Sequence, residues 1–167
     1  SDVYKRQVQR VLIHRPVYNY TIELLLDKIN AMKVGDPRDP SVEIGPMIDE
    51  WAAKEAEEKI EEAIQGGARR VLGGKREGTL LYPTVLVDTK PEMRVNQTEM
   101  FAPVITVSAY DDFEEALRLA NNTDYGLQSG IFTQNVNRIL RAFEEIEVGG
   151  LQVNDVSTFR VDQMPYG

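Results

Sequence analysis

Cysteine and histidine, two side chains that commonly act as nucleophile, base or metal ligand, are scarce in this sequence. There is no cysteine, which excludes disulfides, thiolate metal sites and a cysteine nucleophile. The single histidine, His14, cannot form a histidine-rich metal site or an ordinary Ser-His-Asp triad. Carboxylates are dense at residues 55–62, but their pattern favours a solvated helix face over a metal site. The sequence therefore predicts no metal site.

Charge and composition narrow the class of partner. The 167 residues carry a net charge of −8, and the phosphate backbone of a nucleic acid would repel such a chain. No apolar run approaches the ~20 residues that span a bilayer, so no membrane interaction is expected. The polar beginning, SDVYKRQ, is not a signal peptide, and the cytoplasm is the expected compartment.

Apolar periodicity predicts strands and helices in alternation, and hence an α/β fold. Short β-branched runs indicate strands, whereas apolar residues three and four apart indicate helices. Because Pro83 interrupts the extended stretch 80–87, we expect that strand at a sheet edge. From residue 103 onwards the alternation favours a parallel sheet covered by helices. The predicted strands are 8–14, 71–72, 80–87, 103–110, 127–133 and 151–154, and the predicted helices are 17–33, 48–65, 113–120 and 136–146.

The glycine pairs and Asn154 are interpreted as structural. Gly73–Gly74 lacks the GxGxxG spacing and a following helix, so phosphate binding is not expected there. Gly149–Gly150 is expected to end a helix and enter a strand. Asn154 is expected to serve as a turn or cap residue.

Seven segments with plausible spacing are shared, in order, with one enzyme superfamily. They are QRVLIH (9–14), VGDPRDPSVEIGPMI (34–48), GG (73–74), YPTVLVD (82–88), TEMFAPVITV (98–107), EEALRLANNTDYGLQSGIFT (114–133) and VGGLQVND (148–155). Together they resemble the aldehyde dehydrogenase superfamily. Residues 8–167 resemble the C-terminal part of its catalytic domain, which implies an open, mainly parallel sheet with flanking helices. Residues 1–7 are unmatched, and both ends of the chain are expected to be cuts, with foreign sequence as the alternative for residues 1–7.

The resemblance implies a reaction and the residues that would serve it. In the family a cysteine thiolate attacks an aldehyde, hydride passes to NAD or NADP, and water releases a carboxylic acid from the thioester. Glu99 matches the glutamate that accepts hydrogen bonds from the nicotinamide ribose, and Phe101 matches an aromatic residue near the nicotinamide. Phe159 falls where the family places a bulky wall of the aldehyde funnel. The end of the chain looks like members that act on small hydroxylated aldehydes, and the intact enzyme is expected to be a homodimer or tetramer.

Several departures from the family pattern predict that this chain alone is inactive. The nucleophile position, five residues before Arg10, is occupied by Lys5, which cannot perform thiohemiacetal chemistry. The general base, the oxyanion-hole asparagine and the dinucleotide-binding domain belong to sequence that would precede this chain. Ala102 replaces a usual glycine and is expected to restrict φ at the turn beside Glu99. The family's closing glycine-rich segment and oligomerisation strand would follow Gly167, and the lack of such strands is expected to leave apolar edges and faces exposed.

Two alternatives remain open at this stage. One is a superfamily relative with different chemistry, such as a phosphate-linked reductase of acyl substrates, although TEMFAPV fits the oxidising branch better. The other is a catalytically dead binding or scaffold module.

Overall fold

The structure is a computed structural model that describes residues 7–158. Within that range the chain forms five α-helices and eight strands, several of them very short. In chain order they are β1 (Arg10–His14), α1 (Tyr18–Ala31), α2 (Glu50–Gln65), β2 (Arg69–Leu72), β3 (Arg76–Glu77), β4 (Leu80–Leu81), β5 (Thr84–Val87), α3 (Arg94–Gln97), β6 (Val104–Tyr110), α4 (Phe113–Asn121), β7 (Gln128–Ile131), α5 (Val136–Glu145) and β8 (Gly150–Val153).

The main sheet has four strands in the order β1-β6-β5-β2. β6 is parallel to both of its neighbours, with Arg10 opposite Thr106 and Thr84 opposite Val104. β2 is antiparallel to β5. The predicted α/β class, with a mainly parallel sheet and flanking helices, is therefore confirmed.

The two faces of the main sheet bury separate cores, because successive side chains of a strand point to opposite faces. On one face α1 packs Ile22, Leu25 and Ile29 against a cluster that contains Val85 and Val107. On the other face α2 contributes Ala53, Ala56, Ile60 and Ala63 to a cluster whose strand members are Leu81, Leu86 and Val104. The apolar stripes that predicted these two helices are thus the surfaces that cover the sheet.

Three helices begin at side chains that accept a hydrogen bond from the first turn. Asp49 accepts from the amide of Ala52, Asp112 from that of Glu115, and Asn135 from that of Arg138. These are the residue types that satisfy the free N–H groups at a helix start. Asp112, and not the preceding Asp111, is therefore the cap of α4.

The predicted edge position of the strand after Pro83 is wrong. β5 lies between β6 and β2, and all four of its residues are buried. Pro83 precedes the first paired residue, so its missing N–H removes no hydrogen bond from the ladder, a placement that proline tolerates. The proline therefore marks where the strand begins.

The single sheet predicted for 103–154 is also divided. β7 and β8 pair with each other in parallel and do not belong to the sheet that contains β6. Asn121 joins this pair to the rest, because its side chain donates to Glu145 O (2.6 Å) and accepts from the amide of Glu147 (3.0 Å). The interpretation of Asn154 as structural is supported, since its Oδ1 accepts from the amide of Thr133 at 2.9 Å.

The predicted exposure of apolar faces is found on α5 and directly after β7. Most of the stripe on α5 is uncovered, with Val136 64%, Leu140 56% and Phe143 73% exposed. Phe132, just after β7, is 68% exposed. Only Ala142 of this helix is buried.

Candidate cofactor-binding loop

The predicted cofactor residues lie on the loop of residues 98–103, which connects α3 to β6 at the amino end of β6. Along this loop the side chains alternate between core and surface. Met100 and Ala102 are buried, at 5% and 1% exposure, whereas Glu99 and Phe101 are exposed. The loop therefore presents one carboxylate and one aromatic ring on its outer side.

The side chain of Gln9 holds this loop immediately before and after Glu99. Its Nε2 donates to Thr98 O at 2.8 Å and to Val95 O at 3.0 Å, and its Oε1 accepts from the amide of Met100 at 3.0 Å. Gln9 directly precedes β1, so these bonds tie the amino end of one strand to the loop before its neighbour.

Further contacts fix the two ends of the loop. On the α3 side, buried Asn96 donates to Lys90 O at 2.8 Å and accepts from the hydroxyl of Thr106 at 2.8 Å. On the β6 side, Gln7 donates to Ala102 O (2.7 Å) and Val104 O (2.9 Å). The backbone around Glu99 is therefore anchored to α3, β1 and β6.

Phe101 has a left-handed backbone conformation, with φ 41°. For a bulky side chain this conformation is rare and costs of order 1–3 kcal/mol, and such strain concentrates at functional sites. The expected restriction at Ala102 is wrong, because the positive φ belongs to Phe101 and Ala102 does not share it. The methyl group of Ala102 instead contributes to the core.

Two other predicted site residues, Lys5 and Phe159, lie outside the described residues 7–158. His14 lies at the opposite, carboxyl end of β1, where it stacks on Tyr110 with ring centroids 5.3 Å apart. Beside it, a hydrogen bond from Arg15 holds the pKa of the Asp111 carboxyl below its ordinary value. This cluster stabilises the start of α4 and is separate from the loop of Glu99.

A cleft of about 190 Å³ lies between the main sheet and α4, and no residue of the loop 98–103 lines it. Arg10, Thr89, Thr106 and Glu115 contribute to its lining. Burial lowers the pKa of the Arg10 guanidinium, which donates to Leu119 O. Sequence patterns gave no indication of this cleft, because its lining comes from four separate stretches of the chain.

Gly73–Gly74 serves the backbone. An added Cβ at Gly73 would lie 1.9 Å from Pro83 O, and the amide of Gly74 donates to Thr84 Oγ1 at 2.9 Å. This close approach of two chain segments accounts for the glycines.

Residues 7–158 contain no group of three or more histidine, aspartate or glutamate side chains arranged to hold a metal ion. In the same range, no helix is both long and apolar enough to cross a bilayer.

Comparison with known proteins gives matches along nearly the whole chain. A 3-sulfolactaldehyde dehydrogenase of Priestia aryabhattai is 42% identical over 160 residues, covering 96% of this chain and 34% of that protein. Aldehyde dehydrogenase 21 of Physcomitrella patens, solved in complex with the reaction product succinate, superposes with a TM-score of 0.94 at 41% identity and covers 96% of this chain and 33% of that one. A glyceraldehyde-3-phosphate dehydrogenase of Methanocaldococcus jannaschii, solved with NADP, gives 0.90 at 39% identity, with 95% and 34% covered.

The chain thus spans about a third of the length of the curated relatives it matches. Residues 6–167 match the profile described as the Aldehyde dehydrogenase family. With a match of that extent, the chain belongs to the aldehyde dehydrogenase family.

Proposed function

We propose that this chain is the part of an NAD(P)-dependent aldehyde dehydrogenase that holds the nicotinamide ribose while a small aldehyde is oxidised to a carboxylic acid. The observation that carries the proposal is the loop of residues 98–103. It exposes a carboxylate and an aromatic ring from a backbone that is hydrogen-bonded on both sides. Family membership supplies the reaction class.

The outward side chains of the loop suit one end of a dinucleotide. An ionised carboxylate accepts hydrogen bonds from paired hydroxyl donors, so Glu99 can hold the two hydroxyls of a ribose. Phe101 leaves 45% of its surface exposed next to that carboxylate, where a planar ring can pack against it. When bound, NAD or NADP supplies the hydride acceptor.

The chain lacks a nucleophile of its own. It contains no cysteine, and Lys5 occupies the position where the family resemblance places one. A lysine ammonium near neutral pH is a weak nucleophile. Activity therefore belongs to the complete enzyme, in which other sequence supplies the thiolate, the general base and the dinucleotide-binding domain.

The proposed substrates are small hydroxylated aldehydes. The relative from Priestia aryabhattai is named for 3-sulfolactaldehyde, a hydroxylated three-carbon compound. Phe159 is proposed to form part of the aldehyde funnel. The complete enzyme is proposed to be a homodimer or tetramer.

The test compares Glu99→Gln with a matched control, Glu92→Gln, in the complete enzyme. Both exchanges remove one exposed carboxylate from the segment between β5 and β6, but only Glu99 lies on the proposed loop. Glu99→Gln should raise KM for NAD(P) about tenfold, the effect of weakening one charge-assisted hydrogen bond. Glu92→Gln should leave KM unchanged.

Two results would contradict the proposal. An unchanged KM for NAD(P) in Glu99→Gln would show that Glu99 does not hold the nicotinamide ribose. Aldehyde-dependent NADH formation by the purified 167-residue chain would refute its dependence on an external nucleophile. If even the complete protein binds NAD(P) without turning over any of a panel of small aldehydes, the binding or scaffold alternative replaces the enzymatic one.

A further inference from the structure

We propose that Gln9 is a positioning residue for Glu99: its side-chain amide sets where the Glu99 carboxylate stands and thereby tunes affinity for the nicotinamide ribose. This inference rests on the proposed function, because it concerns the same loop. It adds to that loop a residue that directly precedes β1, 90 positions before Glu99 in the chain.

The argument begins with the number and direction of the hydrogen bonds. A glutamine amide offers two N–H donors and a carbonyl acceptor. In Gln9 both functions are used on α3 and the loop that follows it, with Nε2 bonded to Val95 O in α3 and to Thr98 O, and Oε1 bonded to the amide of Met100. The residues on either side of Glu99 are therefore held by a single rigid amide group.

The carbonyls that Gln9 satisfies belong to the end of a very short helix. α3 has four residues, and the last carbonyls of a helix have no partner within it. Thr98 is the residue that follows α3, and Glu99 comes next. By closing this helix end, the Gln9 amide determines the direction in which the chain leaves α3 and so the place at which Glu99 emerges.

Gln9 is itself fixed to the sheet. The backbone carbonyl oxygen of Gln9 accepts from the backbone amide of Thr106 at 2.9 Å. Arg10, the next residue, pairs with Thr106 across β1 and β6. The position of its side chain is therefore set by the parallel ladder. Through Gln9, the rigid sheet determines the position of an exposed loop that otherwise contacts solvent on its outer side.

Substitution of the amide by a carboxylate of the same shape isolates this effect. In Gln9→Glu the acceptor toward Met100 remains, but both donors are lost and a carboxylate oxygen faces two carbonyl oxygens. In Gln9→Met all three bonds are lost without any added charge. Gln97→Glu is the matched control: Gln97 makes one similar bond, to Pro91 O at 2.6 Å, on the side of the segment away from Glu99.

The experiment is a double-mutant cycle in the complete enzyme. KM for NAD(P), KM for the aldehyde and kcat are measured for wild type, Gln9→Glu, Glu99→Gln and the double variant, with the control alongside. We expect Gln9→Glu to raise KM for NAD(P) about fivefold or more in wild type and less than about twofold in the Glu99→Gln background. Gln97→Glu should not change KM for NAD(P) in either background.

The outcomes separate this inference from the function it rests on. If Glu99→Gln raises KM but Gln9→Glu does not, or raises it equally in both backgrounds, Gln9 does not act through Glu99 and the inference is overturned while the proposed function stands. If Glu99→Gln itself has no effect, the proposed function fails, and the inference with it. Should Gln9→Glu not fold, Gln9→Met in the same cycle decides between these results by the same criteria.

Discussion

Thr106 and Asn96 form a buried hydrogen bond of 2.8 Å between the middle of the main sheet and α3, the helix that precedes the loop of residues 98–103. Thr106 is 3% exposed and Asn96 9%. The hydroxyl of Thr106 donates to Asn96 Oδ1, while Asn96 Nδ2 donates to Lys90 O. A polar chain thus runs from β6 through α3 to the segment before it.

Thr106→Val should destabilise the fold through this pair. Valine has nearly the same shape but no hydroxyl, so Asn96 Oδ1 would remain buried without a donor. An unsatisfied buried acceptor costs about 1–3 kcal/mol. Urea unfolding should show this loss, whereas Thr106→Ser, which retains the hydroxyl, should lose only about 0.8 kcal/mol for the missing methyl group. Equal losses in the two variants would mean that packing, and not the hydrogen bond, is what Thr106 contributes.

Phe101 allows a test in which the usual order of glycine and alanine is reversed. At an ordinary position a glycine variant is less stable than an alanine variant, because glycine gives the unfolded chain more conformational freedom. At φ 41° the alanine Cβ is strained and glycine is not. Phe101→Gly should therefore unfold at a higher urea concentration than Phe101→Ala, by about 1 kcal/mol.

Both Phe101 variants should weaken NAD(P) binding in the complete enzyme, because both remove the ring. A comparison of stability and KM in the two variants thus separates the cost of the backbone conformation from the function of the side chain. If Phe101→Ala were the more stable variant, the left-handed conformation would not be a source of strain.

Gly73 and Gly78 both have a positive φ, but they differ in the space available for an added Cβ. Gly73 has φ 73° and Gly78 has φ 61°. An added Cβ would meet Pro83 O at 1.9 Å in the first case and nothing within 4 Å in the second. Gly78→Ala should cost about 1 kcal/mol for the conformation alone, and Gly73→Ala at least about 3 kcal/mol because β2 and β5 must also separate. Similar unfolding midpoints for the two variants would contradict this account.

The elements that the sequence predicted well are those whose signals are local. The four predicted helices agree with α1, α2, α4 and α5 to within about two residues at each end, because their apolar stripes are local patterns. Most strands also lie in predicted apolar runs, but the stretch 80–87 divides into β4 and β5 in separate sheets, and β3 was not predicted. The edge position assigned to β5 was wrong because Pro83 was taken to lie within the strand, whereas it precedes the first paired residue.

The pairing of the strands and the hydrogen bonds that hold the loop of residues 98–103 could not be predicted, because both depend on contacts between residues far apart in the sequence. No local pattern distinguishes the antiparallel pairing of β2 or the separation of β7 and β8 from the main sheet. Glu99 and Phe101 were found through a motif, and their exposure agrees with the proposed role. Gln9 was missed because its three partners lie 86 to 91 residues away.

Asp111 and Arg15 predict a pH dependence at the far end of the sheet. The Arg15 side chain donates to both carboxylate oxygens, and this bond lowers the pKa of Asp111 from its unfolded value of 3.8. The ionised form is therefore favoured by folding. Its contribution to stability is fully present above pH 3.8 and is lost as the pH falls through the lower folded pKa.

Asp111→Asn should accordingly lower Tm at neutral pH and lose this effect in acid. Because the pair is exposed, the decrease should be no more than a few degrees and should shrink in about 1 M NaCl, where the Debye length is ~3 Å. The measurement is Tm against pH for wild type, Asp111→Asn and the control Asp124→Asn, which removes an exposed carboxylate from the loop after α4. The wild-type and Asp111→Asn curves should approach each other as the pH falls below 3.8 and converge only below the lowered folded pKa of Asp111, where both side chains are neutral. A difference that persisted unchanged to the lowest pH would show that the asparagine disturbs the start of α4 itself and that the ion pair contributes nothing.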